Sequence, residues 1–330
     1  MHLPDHYLDP TTCAVTSVAA AGALAFAAIQ ARREGGPSAR LLAATSAGIF
    51  AAQMVSFPIA AGTSGHLIGG VLAGAILGPW LGTWAIAIVL AVQCLLFGDG
   101  GVSTLGANIL DMGVIGSMFG YAAYQGIQRF ASSPLGKVVA AAAASWVTVI
   151  AAAALCSCEL AAAGTFRFGD VLPAMVSVHA LMGVCEALIT AAVIVLLMRI
   201  APAMLYDSSR QLGASSTTGW RKASTIGFAA ALLIALMLAP WASTAPDGLE
   251  RVAGRLGLAE QGGARLVSTP ITDYKLAGIE SPALGIALAG AIGVAAAFSA
   301  AGVSSILMRR MIAASAESRR LSRPFTPTAS

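Results

Sequence analysis

Charged residues are scarce in this chain of 330 residues. Asp, Glu, Lys and Arg make up 10% of it, whereas hydrophobic residues make up 57%. A soluble globular domain carries about 25% charged residues, so this composition excludes a water-soluble globule. The formal net charge of +4 does not indicate nucleic-acid binding, because the basic residues fall in short separate groups and do not cluster on one face. Composition therefore predicts a protein embedded in a lipid bilayer.

Sequence patterns of catalysis are also missing. The chain contains no GxxxxGK[ST] phosphate-binding loop, no HExxH and no GxSxG, the patterns of ATP hydrolysis, zinc proteolysis and serine hydrolysis. We therefore predict that the chain is not an enzyme and needs no catalytic cofactor. Its five cysteines include no CxxC pair and no zinc-ligand spacing, which predicts neither a disulfide framework nor a zinc site.

Long apolar stretches dominate what is present. Each can cross roughly 30 Å of hydrocarbon as a helix, or part of it. They predict an all-α, polytopic transmembrane helical bundle with about seven spans plus a two-span C-terminal module. The third and fourth stretches are separated only by GPWLG (78–82), which favours a helical hairpin or partly buried segments. The nine stretches are 12–31, 41–60, 66–80, 82–97, 106–128, 137–158, 171–198, 223–241 and 281–308.

The distribution of Lys and Arg predicts the orientation. With residue 1 outside, 14 of the 19 basic residues fall in inside loops, the side that membrane proteins enrich in positive charge. The N-terminus is therefore predicted outside and the C-terminus in the cytoplasm. The outside residues are Arg167, Arg251, Arg255, Arg265 and Lys275. The inside residues are Arg32, Arg33, Arg40, Arg129, Lys137, Arg199, Arg210, Arg221, Lys222, Arg309, Arg310, Arg319, Arg320 and Arg323.

The first ten residues, MHLPDHYLDP, do not form a secretory signal, because they contain no Lys or Arg. Removal of an initiator methionine generally requires a small second residue, so we expect Met1 to be retained with a free α-amine. That amine, the backbone nitrogen of His2 and the Nδ1 atom of its ring can close adjacent five- and six-membered chelate rings around one metal. Tetragonal all-nitrogen sites suit Ni²⁺ or Cu²⁺, with Co²⁺ a plausible guest.

A fourth ligand is suggested by His66 in GTSGHLIGG (62–70). The predicted topology places this turn on the same side as Met1, and its glycines permit close approach of the backbone. The alternative is that His66 caps a helix or hydrogen-bonds a neighbour, and spacing alone leaves both open.

Other polar residues have weaker interpretations. His179 and Glu186 are seven residues apart and therefore share one helix face. They can surround the metal site or line a route for the ion, or they can serve as contacts between packed helices. Asp99, in GDGG, is expected to form a turn. Asn108 and Asp111 are expected to satisfy backbone groups of a loop.

Several ordered motifs carry a resemblance over roughly residues 1 to 200: MHLPDHYL, GTSGHLIGG, LGPW (77–80), LLFGDGG (95–101), LGANILDMG (105–113) and HALMGVCEALIT (179–190). Together they resemble the CbiM/NikM family, the substrate-capture components of energy-coupling-factor transporters for cobalt and nickel.

The resemblance implies that Met1, His2 and His66 hold the metal, which is the transported substrate. It also implies a membrane coupling subunit (CbiQ/NikQ-like) and cytoplasmic ATPase subunits (CbiO/NikO-like) as partners, in the cell (inner) membrane. No nucleic acid is expected as a partner. Nickel's preference for planar sites only slightly favours it over cobalt.

The last third resembles the small NikN/CbiN-type component, because it contains PDGLE (246–250) and PITDYKLAGIESP (270–282). We therefore predict a metal-binding membrane domain over 1–202, a cytoplasmic linker over 203–222 and a PDGLE domain over 223–330. The outer loop of this last domain is expected to contact the metal-binding domain, although it can also simply join two helices.

Two other functions remain open from the sequence. A membrane metalloenzyme requires a general base beside the metal, for which His179 and Glu186 are the candidates. A capture component for an organic vitamin requires a larger pocket lined by aromatic side chains and no contribution from the first two residues.

Overall fold

The computed structural model of the chain describes residues 2–34, 38–59, 62–130, 133–206, 217–257 and 265–321, with the backbone alone for residues 217–223 and 312–321. Met1, the first of the predicted metal ligands, lies outside the described residues. So do residues 207–216, the larger part of the predicted linker, and residues 322–330.

The described residues form an all-α bundle, which confirms the predicted fold class. The one small sheet in the described part is an antiparallel pair in which Phe57 lies opposite Gly65. The elements are α1 (Pro10–Arg33), α2 (Ala39–Gln53), β1 (Phe57–Pro58), β2 (Ser64–Gly65), α3 (Gly70–Val92, with a π-helical continuation Gln93–Phe97), α4 (Leu105–Asn108, with a π-helical continuation Ile109–Phe119), α5 (Gly120–Gln128), α6 (Pro134–Ala162), α7 (Phe168–Ile200), α8 (Thr217–Leu233), α9 (Gly248–Arg255) and α10 (Pro282–Leu321).

Six helical segments of the described residues are long and apolar enough to cross a membrane: Pro10–Arg33, Gly70–Phe97, Pro134–Ala162, Phe168–Ile200, Ser224–Trp241 and Pro282–Met311. They make the chain a multi-pass membrane protein. Helix α2 has 15 residues, fewer than the roughly 20 that span the hydrocarbon core. The total of nine predicted spans stays a prediction.

The third and fourth apolar stretches form the helical hairpin that the sequence suggested. Gly78 has φ +78 and ψ 170 and is followed by Pro79 inside α3. A Cβ atom placed on Gly82 would lie 2.9 Å from the backbone nitrogen of Gly74, whereas eight residues of a straight helix span about 12 Å. The chain therefore folds back at Gly78, where a glycine tolerates a positive φ.

Loops from distant parts of the chain meet at two ends of the bundle. At one end, Leu3 lies against the loop before α4, and the backbone N–H of Ser64 donates to the carbonyl oxygen of Pro246. At the other end, the side chain of Arg32 donates to the carbonyl oxygen of Met311. We call the first the N-terminal end. That this end faces outside stays a prediction from the charge distribution.

Candidate metal site

The N-terminal segment, residues 2–9, is anchored on the bundle through Leu3, whose side chain is fully buried. The backbone N–H of Leu3 donates to Oδ1 of Asn108 at 2.8 Å, and its carbonyl oxygen accepts from Nδ2 of Asn108 and from the hydroxyl of Thr104. This confirms the expectation that Asn108 satisfies loop backbone groups. Asp111 does not do so among the described residues: its buried carboxyl lies beside that of Glu159 and bonds no loop backbone group there.

His66 lies between strand β2 and helix α3. Its Nδ1 atom is 3.0 Å from the carbonyl oxygen of Leu67. A carbonyl can only accept, so Nδ1 carries the proton of the neutral ring and Nε2 carries the lone pair. The tautomer is thus the one that presents Nε2 to a metal ion.

The structure brings His2 and His66 together. Their ring centroids are 5.1 Å apart and their planes differ by 22°, although 64 residues separate them in the sequence. Two of the three predicted ligand residues are therefore neighbours, while Met1 lies outside the described residues. The association of His66 with residues at the start of the chain is a property of the fold.

Two oxygen-bearing side chains contact the His2 ring. Nε2 lies 3.2 Å from Oε1 of Gln93, and Nδ1 lies 3.3 Å from Oδ1 of Asp99. When the neutral ring donates its proton to Gln93, its Nδ1 lone pair faces a carboxylate. Two facing electron pairs favour a cation near them, either a proton or a metal ion. This is the nitrogen that the predicted chelate uses.

Asp99 is held in turn by a residue near the C-terminal end of the sequence. The hydroxyl of Tyr274 donates to Oδ2 of Asp99 at 2.8 Å, and the Tyr274 ring stacks on Phe97 with centroids 4.5 Å apart. The positive φ of Gly98 and Gly100 confirms the expected turn. The sequence did not predict that the carboxylate of this turn faces the ring of His2.

Burial and charge act in opposite directions on these groups. Burial lowers the pKa of the His2 ring below 6.5, against the opposing effect of Asp99. Burial lowers the pKa of His66 to about 3. Burial alone would raise the pKa of Asp99, but the neighbouring rings of His2 and His66 and the hydrogen bond from Tyr274 hold it below its ordinary value. At neutral pH the site therefore presents two neutral rings beside an ionised carboxylate.

A cavity of about 270 Å³ adjoins the two rings. No group of three or more His, Cys, Asp or Glu side chains that could hold a metal ion occurs in the described part of the chain. The two imidazoles could supply two donors to an ion, and a four-coordinate ion would need two more. The polar residues that line the cavity include Gln53, Ser64, Asp99, Asp247, Glu250 and Tyr274.

On its other side, His2 borders a larger cavity of about 750 Å³. Five carboxylates line it, and Arg265 is its one Lys or Arg among the described residues. A cleft lined mainly by one sign of charge concentrates ions of the opposite sign. The surroundings of His2 are thus electrostatically suited to cations. The carboxylates are those of Asp5, Asp99, Asp247, Glu250 and Asp273.

The segment PDGLE (246–250) lies directly on the His66 turn. The carbonyl oxygen of Pro246 accepts the backbone N–H of Ser64 at 2.9 Å, and that of Ala245 accepts the Ser64 hydroxyl at 2.6 Å. Asp247 and Glu250 form a reciprocal capping box at the start of α9, which fixes the helix terminus. The expected contact between this segment and the metal-binding part of the chain is thus present.

Gly248 is packed against helix α7. A Cβ atom placed on it would lie 2.8 Å from Cε1 of His179 and 2.8 Å from Sδ of Met182. Met182 also contacts the turn, because a Cβ atom on Gly65 would lie 2.9 Å from its Cε atom. The His66 turn is therefore enclosed by α7 on one side and by the PDGLE segment on another.

His179 and Glu186 do not line the cavity beside the two rings. Nδ1 of His179 lies 2.8 Å from the carbonyl oxygen of Met175, one helical turn earlier. The carboxylate of Glu186 accepts backbone N–H groups of Ile68 and Gly69. The two residues were expected either to surround the metal site or to serve as contacts between packed helices. His179 fits the second expectation. Glu186 lies against the His66 turn and does not line the cavity.

Sequence reasoning missed Gln93, Asp99 and Tyr274 around His2. Asp99 lies in the LLFGDGG motif and was interpreted as a turn residue only. Gln93 gave one signal, since an amide inside a long apolar stretch must find a partner. Tyr274 gave none, because no sequence spacing relates residue 274 to residue 99.

Comparisons with known proteins agree with this geometry. The family described as the cobalt uptake substrate-specific transmembrane region matches residues 2–204, and the PDGLE domain matches residues 221–310. A putative fused nickel transport protein NikMN of Archaeoglobus fulgidus is 34% identical over 89% of this chain and 94% of its own length.

Two further relatives cover different lengths of the chain. The fused nickel transport protein NikMN of Rhodobacter capsulatus is 32% identical over 92% of this chain and 97% of its own. A solved structure described as a transition metal transporter is 32% identical with a TM-score of 0.55, covering 61% of this chain and 93% of that one.

Proposed function

Because the chain belongs to the family of cobalt-uptake substrate-specific transmembrane proteins, we propose that it captures Ni²⁺ or Co²⁺ for an ATP-driven importer. The proposed donors are the α-amine of Met1, the backbone nitrogen and ring of His2, and the ring of His66. The chain is a multi-pass membrane protein of a nickel and cobalt transport family, and it is not an enzyme. The metal is accordingly its substrate.

One observation carries the assignment of the donors. The rings of His2 and His66 stack at 5.1 Å, and the Nδ1 atom of His2 faces the carboxylate of Asp99 at 3.3 Å. Two neutral imidazoles with an adjacent negative charge suit a divalent transition metal that prefers nitrogen ligands. In this proposal main-chain nitrogens complete the set, which is consistent with the absence of any cluster of three metal-binding side chains among the described residues.

The division of labour with other subunits is part of the proposal. Because its sequence contains no phosphate-binding loop, the chain depends on cytoplasmic ATPase subunits for ATP hydrolysis. A membrane coupling subunit connects these subunits to the chain. We also propose the domain division 1–202, 203–222 and 223–330, which the two family matches support.

The structure weighs against both rival functions. A metalloenzyme needs a base beside its metal, but both oxygens of Glu186 are bonded to backbone N–H groups and His179 faces Gly248. A vitamin site needs a large aromatic pocket. The cavity beside the two rings measures about 270 Å³, with Tyr274 as its one Phe, Tyr or Trp among the described residues. The larger cavity of about 750 Å³ contains Tyr7, Phe97 and Tyr274, but its five carboxylates suit a cation better than an uncharged organic molecule.

Displacing the amine tests the proposal directly. A variant with one extra residue ahead of Met1 keeps every side chain but moves the α-amine away from His2. We expect the purified full-length protein to lose its stoichiometric Ni²⁺, measured by elemental analysis. His2→Ala and His66→Ala should lose it as well.

A matched control is available in the same segment. His6 lies four residues from His2 at φ +69, a conformation that asparagine tolerates, and it does not line the cavity beside the two rings. His6→Asn should therefore retain the metal. Stoichiometric Ni²⁺ in the extended protein would show that the N-terminal site is wrong.

A further inference from the structure

We propose that Glu186 is a positioning residue for the metal ligand His66. This inference rests on the proposed function, since it concerns the geometry of one proposed donor. Glu186 lies in the middle of α7 and 120 residues after His66; the sequence suggested that it surrounds the metal site or joins helices, but not that it acts on His66.

The contact is bidentate. Oε2 of Glu186 accepts the backbone N–H of Ile68 at 2.7 Å, and Oε1 accepts that of Gly69 at 2.8 Å. The side chain is 4% exposed, so little water competes for these bonds. One buried side chain thus holds two successive backbone N–H groups, and leaving them unpaired in the interior would be costly.

A second side chain holds the same residue from another helix. Nε2 of Gln53, at the end of α2, donates to the carbonyl oxygen of Ile68 at 2.8 Å. The peptide groups on both sides of Ile68 are therefore fixed, one from α2 and one from α7. His66 lies two residues earlier, and its own ring is bonded to the Leu67 carbonyl, so its position follows that of these peptides.

Glu186 also ties the start of helix α3 to α7. Helix α3 begins at Gly70 with Gly69 as its N-cap. The two N–H groups that Glu186 accepts belong to this N-cap residue and to Ile68 directly before it. The bonds therefore hold the chain where the turn passes into the helix.

This arrangement separates Glu186 from the metal itself. Both of its oxygens are bonded to backbone groups, and its side chain does not line the cavity beside His2 and His66. It acts through the position of the His66 ring. A role limited to general stability would affect all four donors equally, whereas a positioning role affects His66 alone.

The test uses Cu²⁺ as a spectroscopic probe, because the hyperfine pattern in electron paramagnetic resonance counts the bound nitrogens. The full-length protein and the variants His66→Ala, Glu186→Ala and Glu186→Gln are loaded with Cu²⁺ and their affinities for Ni²⁺ are measured. Glu159→Gln is the control, because Glu159 is a buried carboxylate on the neighbouring helix α6.

We expect Glu186→Ala to show the pattern of His66→Ala, with one nitrogen fewer and Ni²⁺ binding about 10- to 100-fold weaker. Glu186→Gln keeps one acceptor and should fall between it and the unmodified protein. Glu159→Gln should keep four nitrogens. If Glu186→Ala does not fold, Glu186→Gln decides, since it preserves the shape of the side chain.

Two results would overturn the inference, and they differ. Four nitrogens and unchanged affinity in the folded Glu186 variants, with one nitrogen lost in His66→Ala, would reject the role of Glu186 and leave the proposed function intact. An unchanged pattern in His66→Ala would reject the proposed donor set, and with it this inference.

Discussion

The two histidines of the site are held by different parts of the chain. The segment that carries His2 is bonded mainly to residues within the first 110, among them Asn108. The turn that carries His66 is bonded to Glu186 of α7 and to Pro246 of the C-terminal module. Two bonds on the first side reach further along the chain: the backbone N–H of Leu266 donates to Asp5, and the hydroxyl of Thr165 donates to the carbonyl oxygen of Tyr7.

This difference indicates how the fused module can act on metal binding. A change in the position of the PDGLE segment moves the His66 turn directly, because the two share hydrogen bonds through Ser64. The C-terminal module contacts His2 less directly, because Tyr274 bonds Asp99 and only Asp99 contacts the His2 ring. We therefore expect the C-terminal module to control His66 more strongly than His2.

The largest expected effect is on the His2 side. A Cβ atom on Gly101 would lie 2.3 Å from the backbone nitrogen of Asp5, and the Gly101 N–H donates to the Leu3 carbonyl. Backbone atoms cannot move away cheaply, and such overpacking costs about 1–3 kcal/mol. Gly101→Ala should therefore weaken Ni²⁺ binding by about 10- to 100-fold, measured by titration of the purified protein.

Gly126 provides the control for that variant, because a Cβ atom there meets nothing within 4 Å. Gly126→Ala should bind the metal normally. Unchanged binding in Gly101→Ala would show that the close packing of the N-terminal segment does not position His2.

A smaller effect is expected on the His66 side. In Gly248→Ala the new methyl group meets side chains of His179 and Met182, and the flexible methionine can partly move aside. We expect dissociation of Ni²⁺ to become about 3- to 10-fold faster, because a loosened PDGLE segment holds the turn less firmly. Ni²⁺ should dissociate at the normal rate from Gly285→Ala, in which the new methyl group in α10 has open space around it. Equal dissociation rates in the two variants would contradict the role assigned to the PDGLE segment.

The smallest effect is expected from acid near pH 6.5. A protonated ring cannot coordinate, but the pKa of His66 is lowered to about 3 and that of His2 lies below 6.5. The His66 ring therefore stays neutral as the pH falls through 6.5, and the His2 ring takes up its proton at a lower pH than an ordinary histidine does. The α-amine, with an ordinary pKa of about 7.7–8.0, must still release its proton.

We therefore expect the metal affinity, measured from about pH 8 to about pH 5, to fall as the pH is lowered. The slope of this fall should not increase near pH 6.5 by the two protons that two ordinary histidines would take up there. A steepening by two further protons at that pH would show that both rings titrate as they do in water. Within the pair, the carboxylate of Asp99 favours protonation of His2, so His2 should be the first ring to titrate.

Much of the architecture was predictable because it follows from local properties. Apolar stretches must become helices in lipid, since every backbone group needs a partner, and the long helices lie at the predicted stretches. The stretch 41–60 is an exception in part, because its helix ends at Gln53 and strand β1 follows, and the short helix α9 was not predicted. The hairpin at Gly78 was predictable from GPWLG, because a glycine followed by a proline interrupts a helix. The contact of the PDGLE segment with the rest of the chain was expected from family resemblance.

The surroundings of the site were less predictable. Glu186 was expected to surround the metal or join helices, and the structure gives it a specific partner in the backbone of Ile68 and Gly69. Asp99 was predicted to form a turn, and its second role beside His2 was missed. Both roles depend on which elements pack together, and sequence periodicity carries no information about that.

The sequence by itself determined that the chain lies in a membrane, that its helices are apolar and that a histidine follows its first residue. These properties depend on composition and on neighbouring residues. Only the tertiary structure decided that His2 stacks on His66, that Asp99 faces His2, and that α7 and the C-terminal module enclose the His66 turn. Residues so far apart in sequence come into contact only when the helices pack, because packing is set by the shape of the whole bundle.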